Sequence, residues 1–159
     1  MNRCQGNLGL AGWMAAVFAA AAAGSAFTAS SVGDWYLTLN RPPWTPPSWL
    51  FGPVWTALSI LMGAAAWLVW RQGGFAGAAA PLGLFLGQLA LNVLWSGIFF
   101  GLRAPGLAAV EIVVLWLAIA ATLAAFWRVK PMAGMLLIPY LLWVGFASVL
   151  NLAIWRLNR

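Results

Sequence analysis

Residues 105–127 read PGLAAVEIVVLWLAIAATLAAFW, a stretch whose one ionisable side chain is Glu111. Wound as a helix it is about 35 Å long, enough to cross the ~30 Å hydrocarbon core of a bilayer. It has no polar face, and a helix that is apolar all round is buried in protein or in lipid. Four more runs of this kind lie elsewhere in the chain, at about 7–29, 49–70, 79–101 and 132–155. In hydrocarbon the backbone must satisfy its own hydrogen bonds, so each run is read as a helix. The expected fold is all-α: an integral membrane bundle of five transmembrane helices, one domain over 1–159, with a long loop at 30–48 and three short ones.

Composition agrees with this reading. Of 159 residues, 64% are hydrophobic and 6% charged, and the mean hydropathy is +0.92. A soluble domain of this length could not bury so much apolar surface. The first run, Leu8–Phe27, exceeds the roughly 7–15 residues of a secretory signal core, which favours a retained helix. Five spans put Arg3, Arg71, Arg128 and Lys130 on one side of the membrane and Arg41, Arg103, Arg156 and Arg159 on the other. That balance leaves the positive-inside rule undecided. The net charge of +6 sits at helix ends, where basic side chains reach the headgroups, so it implies a lipid bilayer and no nucleic acid.

The inventory of reactive groups is short. The chain has no histidine, one cysteine (Cys4) and two acids, Asp34 and Glu111. Zinc, iron–sulfur and His-ligated haem sites lack their ligands, and triad nucleophiles lack their base. No metal, no resident cofactor and no conventional turnover are expected. Glu111, about two turns into the fourth helix, is either a proton-relay or ligand group or an acid stabilised by the helix dipole and interfacial water. The second arrangement is the commoner one.

Outward from the spans, the long loop contains NRPPWTPPSW at 40–49. Pro42 and Pro43 should hold Asn40–Trp44 extended, and Thr45 before Pro46 and Pro47 should cap the next helix. The segment is stiff and aromatic. Trp35, Tyr36, Trp44 and Trp49 suit an interfacial anchoring belt. They equally suit a lid that closes with little loss of conformational entropy.

Within the spans, polar and aromatic residues recur at helical spacing. Gln88, Asn92, Trp95 and Phe99 line one face of the third helix. Pro139, Trp143, Ala147, Asn151 and Trp155 recur every four residues on the fifth, and Trp55, Ser59, Gly63 and Trp67 do so on the second. Amides are costly in hydrocarbon and turn toward the bundle interior. Two readings fit: the amides bond across helices while the indoles fill space, or together they wall a cavity for a flat apolar ligand. Gly83-x-x-x-Gly87 and Gly97-x-x-x-Gly101 would let another helix approach closely, as at a dimer face.

Three blocks carry a family resemblance: DWYLTLNRPPWTPPSWLFGPVWT at 34–56, QLALNVLWSGIFFG at 88–101 and PYLLWVGFASVLNLAIWRLN at 139–158. The chain resembles the translocator protein family, also called the tryptophan-rich sensory proteins or peripheral benzodiazepine receptors. The resemblance implies a five-helix bundle, commonly a homodimer, that binds porphyrins, sterols and synthetic aromatic ligands in a pocket closed by the first long loop. It implies roles for Tyr36 and Trp55 in the pocket, for Asn92 as a polar contact, for Trp143, Ala147 and Leu150 as wall, and for Gly24 and Phe27 near the mouth. Trp44, Gln88, Trp95 and Asn151 join them from the loop and stripes described above.

One departure bears on the ligand. Animal members carry a proposed cholesterol motif with a tyrosine near the end of the fifth helix, and here VLNLAIWR holds Leu152 and Ala153 instead. A tetrapyrrole is therefore expected over a sterol. The expected role is carrier, sensor or regulator of tetrapyrrole levels, in a bacterial envelope membrane. The alternatives are light-dependent porphyrin degradation, with Trp55 and Trp143 as candidate catalytic residues, and an interaction protein for another membrane component.

Overall fold

Every apolar run is helical in the computed structural model, which describes residues 3–159 and the side chains from Gly6 onward. The spans are α1 (Arg3–Val32), α3 (Ser48–Trp70), α4 (Gly74–Ser96), α5 (Pro105–Val129) and α6 (Pro131–Leu157), with a one-turn α2 (Trp35–Thr38) in the long loop. All five long helices are apolar and long enough to cross a membrane. They close a ring in the order α1, α3, α6, α5, α4, with α3 also touching α4 across the centre.

The helix breaks follow from local chemistry. Between α5 and α6 stands Lys130 in extended backbone (φ −152°, ψ 106°). A residue before proline is pushed out of the helical region, and Pro131 then opens α6, where a missing N–H costs nothing. Within α4, Ala78 is non-helical (φ −138°, ψ 32°) three residues before Pro81. The span thus begins at Gly74 rather than near 79, with a kink where the apolar pattern suggested a start.

One helix end was misread from the sequence. Thr45 does not cap α3: its hydroxyl donates to the Pro42 carbonyl at 2.7 Å, and α3 begins at Ser48 after an extended Pro47 (ψ 144°). With Thr45 as the cap, Pro46 would be the first helical residue, and Pro47 after it disfavours that conformation.

Sidedness on α5 shows how the bilayer replaces water as solvent. Ala108, Ile112, Leu115, Ile119 and Phe126 are buried, while Val110, Val113, Val114 and Leu117 are each at least half exposed. Both faces are apolar, so the inner one is distinguished by packing. Phe85 of α4 stacks on Phe126 of α5 at 5.6 Å between centroids. The short hairpin between α5 and α6 leaves no room beside Gly134, where an added Cβ would lie 2.7 Å from the Trp127 ring and 3.0 Å from its Cα.

At one end of the bundle α4 continues into a π-helical turn, Gly97–Gly101, marked by the Leu102 N–H donating to the Gly97 carbonyl at 2.8 Å. The wider turn brings the consecutive residues Ile98, Phe99 and Phe100 all inward. Ser31 of α1 donates to the Phe100 carbonyl at 2.8 Å and fastens the turn to the first span. Over this platform the long loop lies.

The Gly134 contact yields a test of the hairpin. Gly134→Ala should cost roughly 1–3 kcal/mol by overpacking against backbone. Gly12→Ala, at an exposed position where a Cβ meets nothing within 4 Å, should not lower the unfolding temperature in detergent. Equal melting of the two variants would contradict the packing described.

Candidate ligand-binding site

The interior beneath the loop is organised by two hydrogen-bond relays. In the first, the fully buried Tyr140 of α6 donates its hydroxyl to Gln88 Oε1 at 2.8 Å and accepts from Asn92 Nδ2 at 3.0 Å. In the second, Trp95 Nε1 donates to Asn151 Oδ1 at 3.0 Å, and Asn151 Nδ2 donates to the Pro105 carbonyl at 2.9 Å. The Pro105 carbonyl stands at the start of α5, so the second relay joins α4, α6 and α5. Gln88, Asn92, Trp95 and Asn151 thus all bond across helices.

Tyr140 was missed in the sequence because the expected α6 stripe steps by four residues. Each such step advances about 40° beyond a full turn, so a run of them winds off the buried face. The buried residues follow mixed steps of three and four: Ala133, Leu137, Tyr140, Val144, then Asn151 and Ile154. Pro139 falls outside, on the exposed face. The α3 stripe drifts in the same way, from Trp55 beside Tyr140 to Trp67, whose Nε1 donates to the Gly6 carbonyl of α1 at 2.8 Å.

Aromatic rings form two groups around the relays. Trp55 meets Tyr140 edge-on at 6.2 Å, Phe51 meets Trp143 at 5.7 Å, and Trp143 lies 5.6 Å from Phe146. Trp44 from the loop sets its ring on Phe146 at 6.0 Å, though it stays 47% exposed. Under α2, Tyr36 is buried against Phe99 and Phe100, and Leu150 belongs to the same cluster. Trp95 stacks on Phe99 at 5.2 Å and borders both groups. Ala147 packs between the helices with Trp55 and Trp143. Tyr36 and Leu150 thus belong to the cluster under α2, Trp55, Trp143 and Ala147 pack against the larger one, and Trp95 borders both.

Gly24 and Phe27 lie on another seam. A Cβ on Gly24 would come 3.1 Å from Ser96 Oγ, and Phe27 covers Gly97 and Gly101. The two glycine pairs of the third span accordingly part: Gly97 and Gly101 receive a ring from their own chain, whereas Gly83 and Gly87 face outward with open space.

The loop is fastened at three points. Asn158, at the end of α6, accepts from the Asn40 N–H and donates to the Asn40 carbonyl, both at 2.9 Å. The Arg41 guanidinium lies 5.1 Å over the Tyr36 ring, and Arg103 approaches Asp34 at 3.9 Å. Asn158 had no signal in the sequence, since its partner is 118 residues away. Two concavities open here, one of about 420 Å³ within the loop and one of about 510 Å³ between loop and α6. Neither is walled by Trp55, Trp95 or Trp143. A guest among those indoles needs the rings and loop to separate.

Glu111 does not sit in interfacial water. It is 9% exposed, and neither carboxyl oxygen has a hydrogen-bond partner among the described residues. Ser59 Oγ and Gln88 Nε2 are likewise buried without partners. No group of three or more metal-binding side chains occurs among the described residues.

The first relay can be tested by asymmetric removal. Tyr140→Phe should destabilise by about 1–2 kcal/mol, because it strips Gln88 of its remaining side-chain bond. Adding Gln88→Leu should recover part of that loss, since the orphan amide goes with it. Simple additivity of the two losses in detergent unfolding would contradict the relay.

The model of the TspO/MBR family matches residues 13–156. Translocator protein of Homo sapiens is 46% identical over 138 residues, covering 86% of this chain and 82% of the relative. Tryptophan-rich protein TspO of Chlorobaculum tepidum is 46% identical over 140 residues, covering 86% and 87%. Protein CrtK of Rhodobacter capsulatus is 42% identical over 144 residues, covering 88% of each. With five apolar spans and a family match over residues 13–156, this integral, multi-pass membrane chain belongs to the TspO/MBR family.

Proposed function

We propose that the protein binds a flat, largely apolar tetrapyrrole beneath its long loop and serves as a carrier or sensor of such molecules. The observation that carries the reading is that three half-buried indoles, Trp55, Trp95 and Trp143, pack against one core cluster of a bundle whose long loop is fastened by its own polar contacts. Indole faces stack on a porphyrin plane, and large aromatic contact area is gained at small entropic cost. Phe51, Phe146, Ala147 and Leu150 would complete the apolar wall. Gln88 Nε2 and the Glu111 carboxyl keep unused hydrogen-bonding capacity for the polar groups of a guest. The names of relatives, translocator and tryptophan-rich sensory protein, accord with a carrier or sensor role.

The loop acts as the lid. Four prolines limit its alternatives, and the paired bonds between Asn40 and Asn158 hold its far end to α6. Opening therefore breaks few contacts, and reclosing orders few dihedrals. Gly83 and Gly87, outward on α4, are the positions proposed for a second copy of the chain.

Titration of the purified protein with protoporphyrin should quench tryptophan emission saturably, and more tightly than titration with cholesterol. Replacing Pro42, Pro43, Pro46 and Pro47 with alanine should raise the off-rate and weaken binding by about tenfold, about 1.4 kcal/mol of added ordering cost. Asn158→Ala should act in the same direction. Absence of saturable quenching would overturn the binding reading; unchanged off-rates in both variants would overturn the lid.

A further inference from the structure

Glu111 is the one acid within the five spans. It sits on the inner face of α5, nine-tenths buried, with neither carboxyl oxygen hydrogen-bonded among the described residues. Its neighbours on α5 fix its place: Ala108, one turn earlier, belongs to the cluster under α2, whereas Ile112 and Leu115 belong to the larger core. The carboxyl therefore lies at the seam of the two clusters, which Trp95 of α4 also borders. The second relay, from Trp95 through Asn151, ends on the Pro105 carbonyl, about 9 Å along the helix axis from Glu111. The Tyr140 hydroxyl of the first relay is within electrostatic range of it.

Among the described residues no cation offsets this acid. Packed against α5 are α4, its π turn, α6 and, more lightly, α3. Neither α4, the π turn nor α3 carries a titratable side chain. On α6 stand Tyr140 and, at the exposed end, Arg156, and α5 itself adds Arg128 about 25 Å further along. The one ion pair is Arg103 with Asp34, outside the spans. A carboxyl left without a partner in such a setting is costly, and acids inside membrane bundles typically pair with a cation or a ligand. A metal ion is a poor fit, because it takes several oxygen ligands and no second acid shares the interior.

We propose that Glu111 holds the amine of a planar aromatic guest, so that the site among the indoles selects flat molecules carrying a basic nitrogen over neutral ones of the same shape. The inference rests on the reading that flat guests enter there. Amine with carboxylic acid and ammonium with carboxylate contain the same atoms and carry no net charge, so the guest brings no uncompensated charge into the interior. An ammonium N–H donating to a carboxylate oxygen makes a charge-assisted hydrogen bond, which strengthens where water is excluded. The ring faces around Trp95, which stacks on Phe99 at 5.2 Å, give the nitrogen a second contact of cation–π type. A guest hydroxyl would supply the hydrogen bond without the charge.

The probes are pyrenemethylamine and pyrenemethanol, which share a flat ring, differ in their one polar group and both accept excitation from tryptophan. Each is titrated at neutral pH into the full chain in nonionic detergent while tryptophan emission is read. The native protein should bind the amine roughly thirtyfold more tightly than the alcohol. Glu111→Gln, and separately Glu111→Leu, should bring the two probes within about threefold of each other, chiefly by loss of affinity for the amine. The native comparison can refute the inference by itself, should neither variant fold. Equal affinities in the native protein, or a preference for the amine that survives both substitutions, would overturn the inference and leave the flat-guest reading in place. Absence of saturable quenching by either probe would overturn the flat-guest reading, and this inference with it.

Discussion

Inside a bilayer no water offers hydrogen bonds, so a polar side chain in a span that lacks a partner is costly. In this protein two relays, Gln88–Tyr140–Asn92 and Trp95–Asn151–Pro105 carbonyl, pair most of the interior amides, while Ser59 Oγ, Gln88 Nε2 and the Glu111 carboxyl stay unpartnered. The two relays set the rotation of α4 against α6 and the height of α5 beside them. Apolar packing in lipid gives little directional preference, because hydrocarbon is as good a neighbour as leucine. The relays supply that direction, and the indoles follow from it: once Asn151 fixes Trp95, its ring is turned under the loop rather than out to lipid.

The end of the bundle that carries the loop differs in kind from the opposite end. There α4 widens into a π turn, and α1 and α2 are fastened to it through Ser31 and the Tyr36 ring. Stiffness in the loop comes from prolines, and its attachment comes from Asn158, Tyr36 and Asp34. In the proposed role as a lid, such a cover would leave and return without refolding. The opposite end is held by close approaches, among them Trp70 against Gly9 and Trp127 against Gly134.

Much of the fold was legible in the sequence because it depends on long apolar runs, and each run is a helix long enough to span. The inner face of the third span was also legible, since Gln88, Asn92 and Trp95 mix three- and four-residue steps as a real helix does. What was not legible has physical causes. Fixed four-residue steps started the α6 stripe on exposed Pro139 and passed over its buried neighbour Tyr140. The π turn leaves no mark in residue type. Thr45 was read as a cap from its neighbours, yet two prolines in series disfavour the helix it would have capped. Asn158 and the Phe27 contact with Gly97 and Gly101 depend on long-range approach that local pattern does not encode.

The central claim is that a planar guest enters among the inward indoles under the loop. Fluorine NMR of protein labelled with 5-fluorotryptophan, each signal assigned by single substitution, reads every indole separately while protoporphyrin is added. Trp55, Trp95 and Trp143 should shift together and saturably, with Trp44 following as the loop responds, while Trp13 and Trp127 at the far end stay in place. Shifts confined to Trp49, Trp127 and other exposed rings, with those three unmoved, would mean that porphyrin only coats the outer surface, and the account would be wrong.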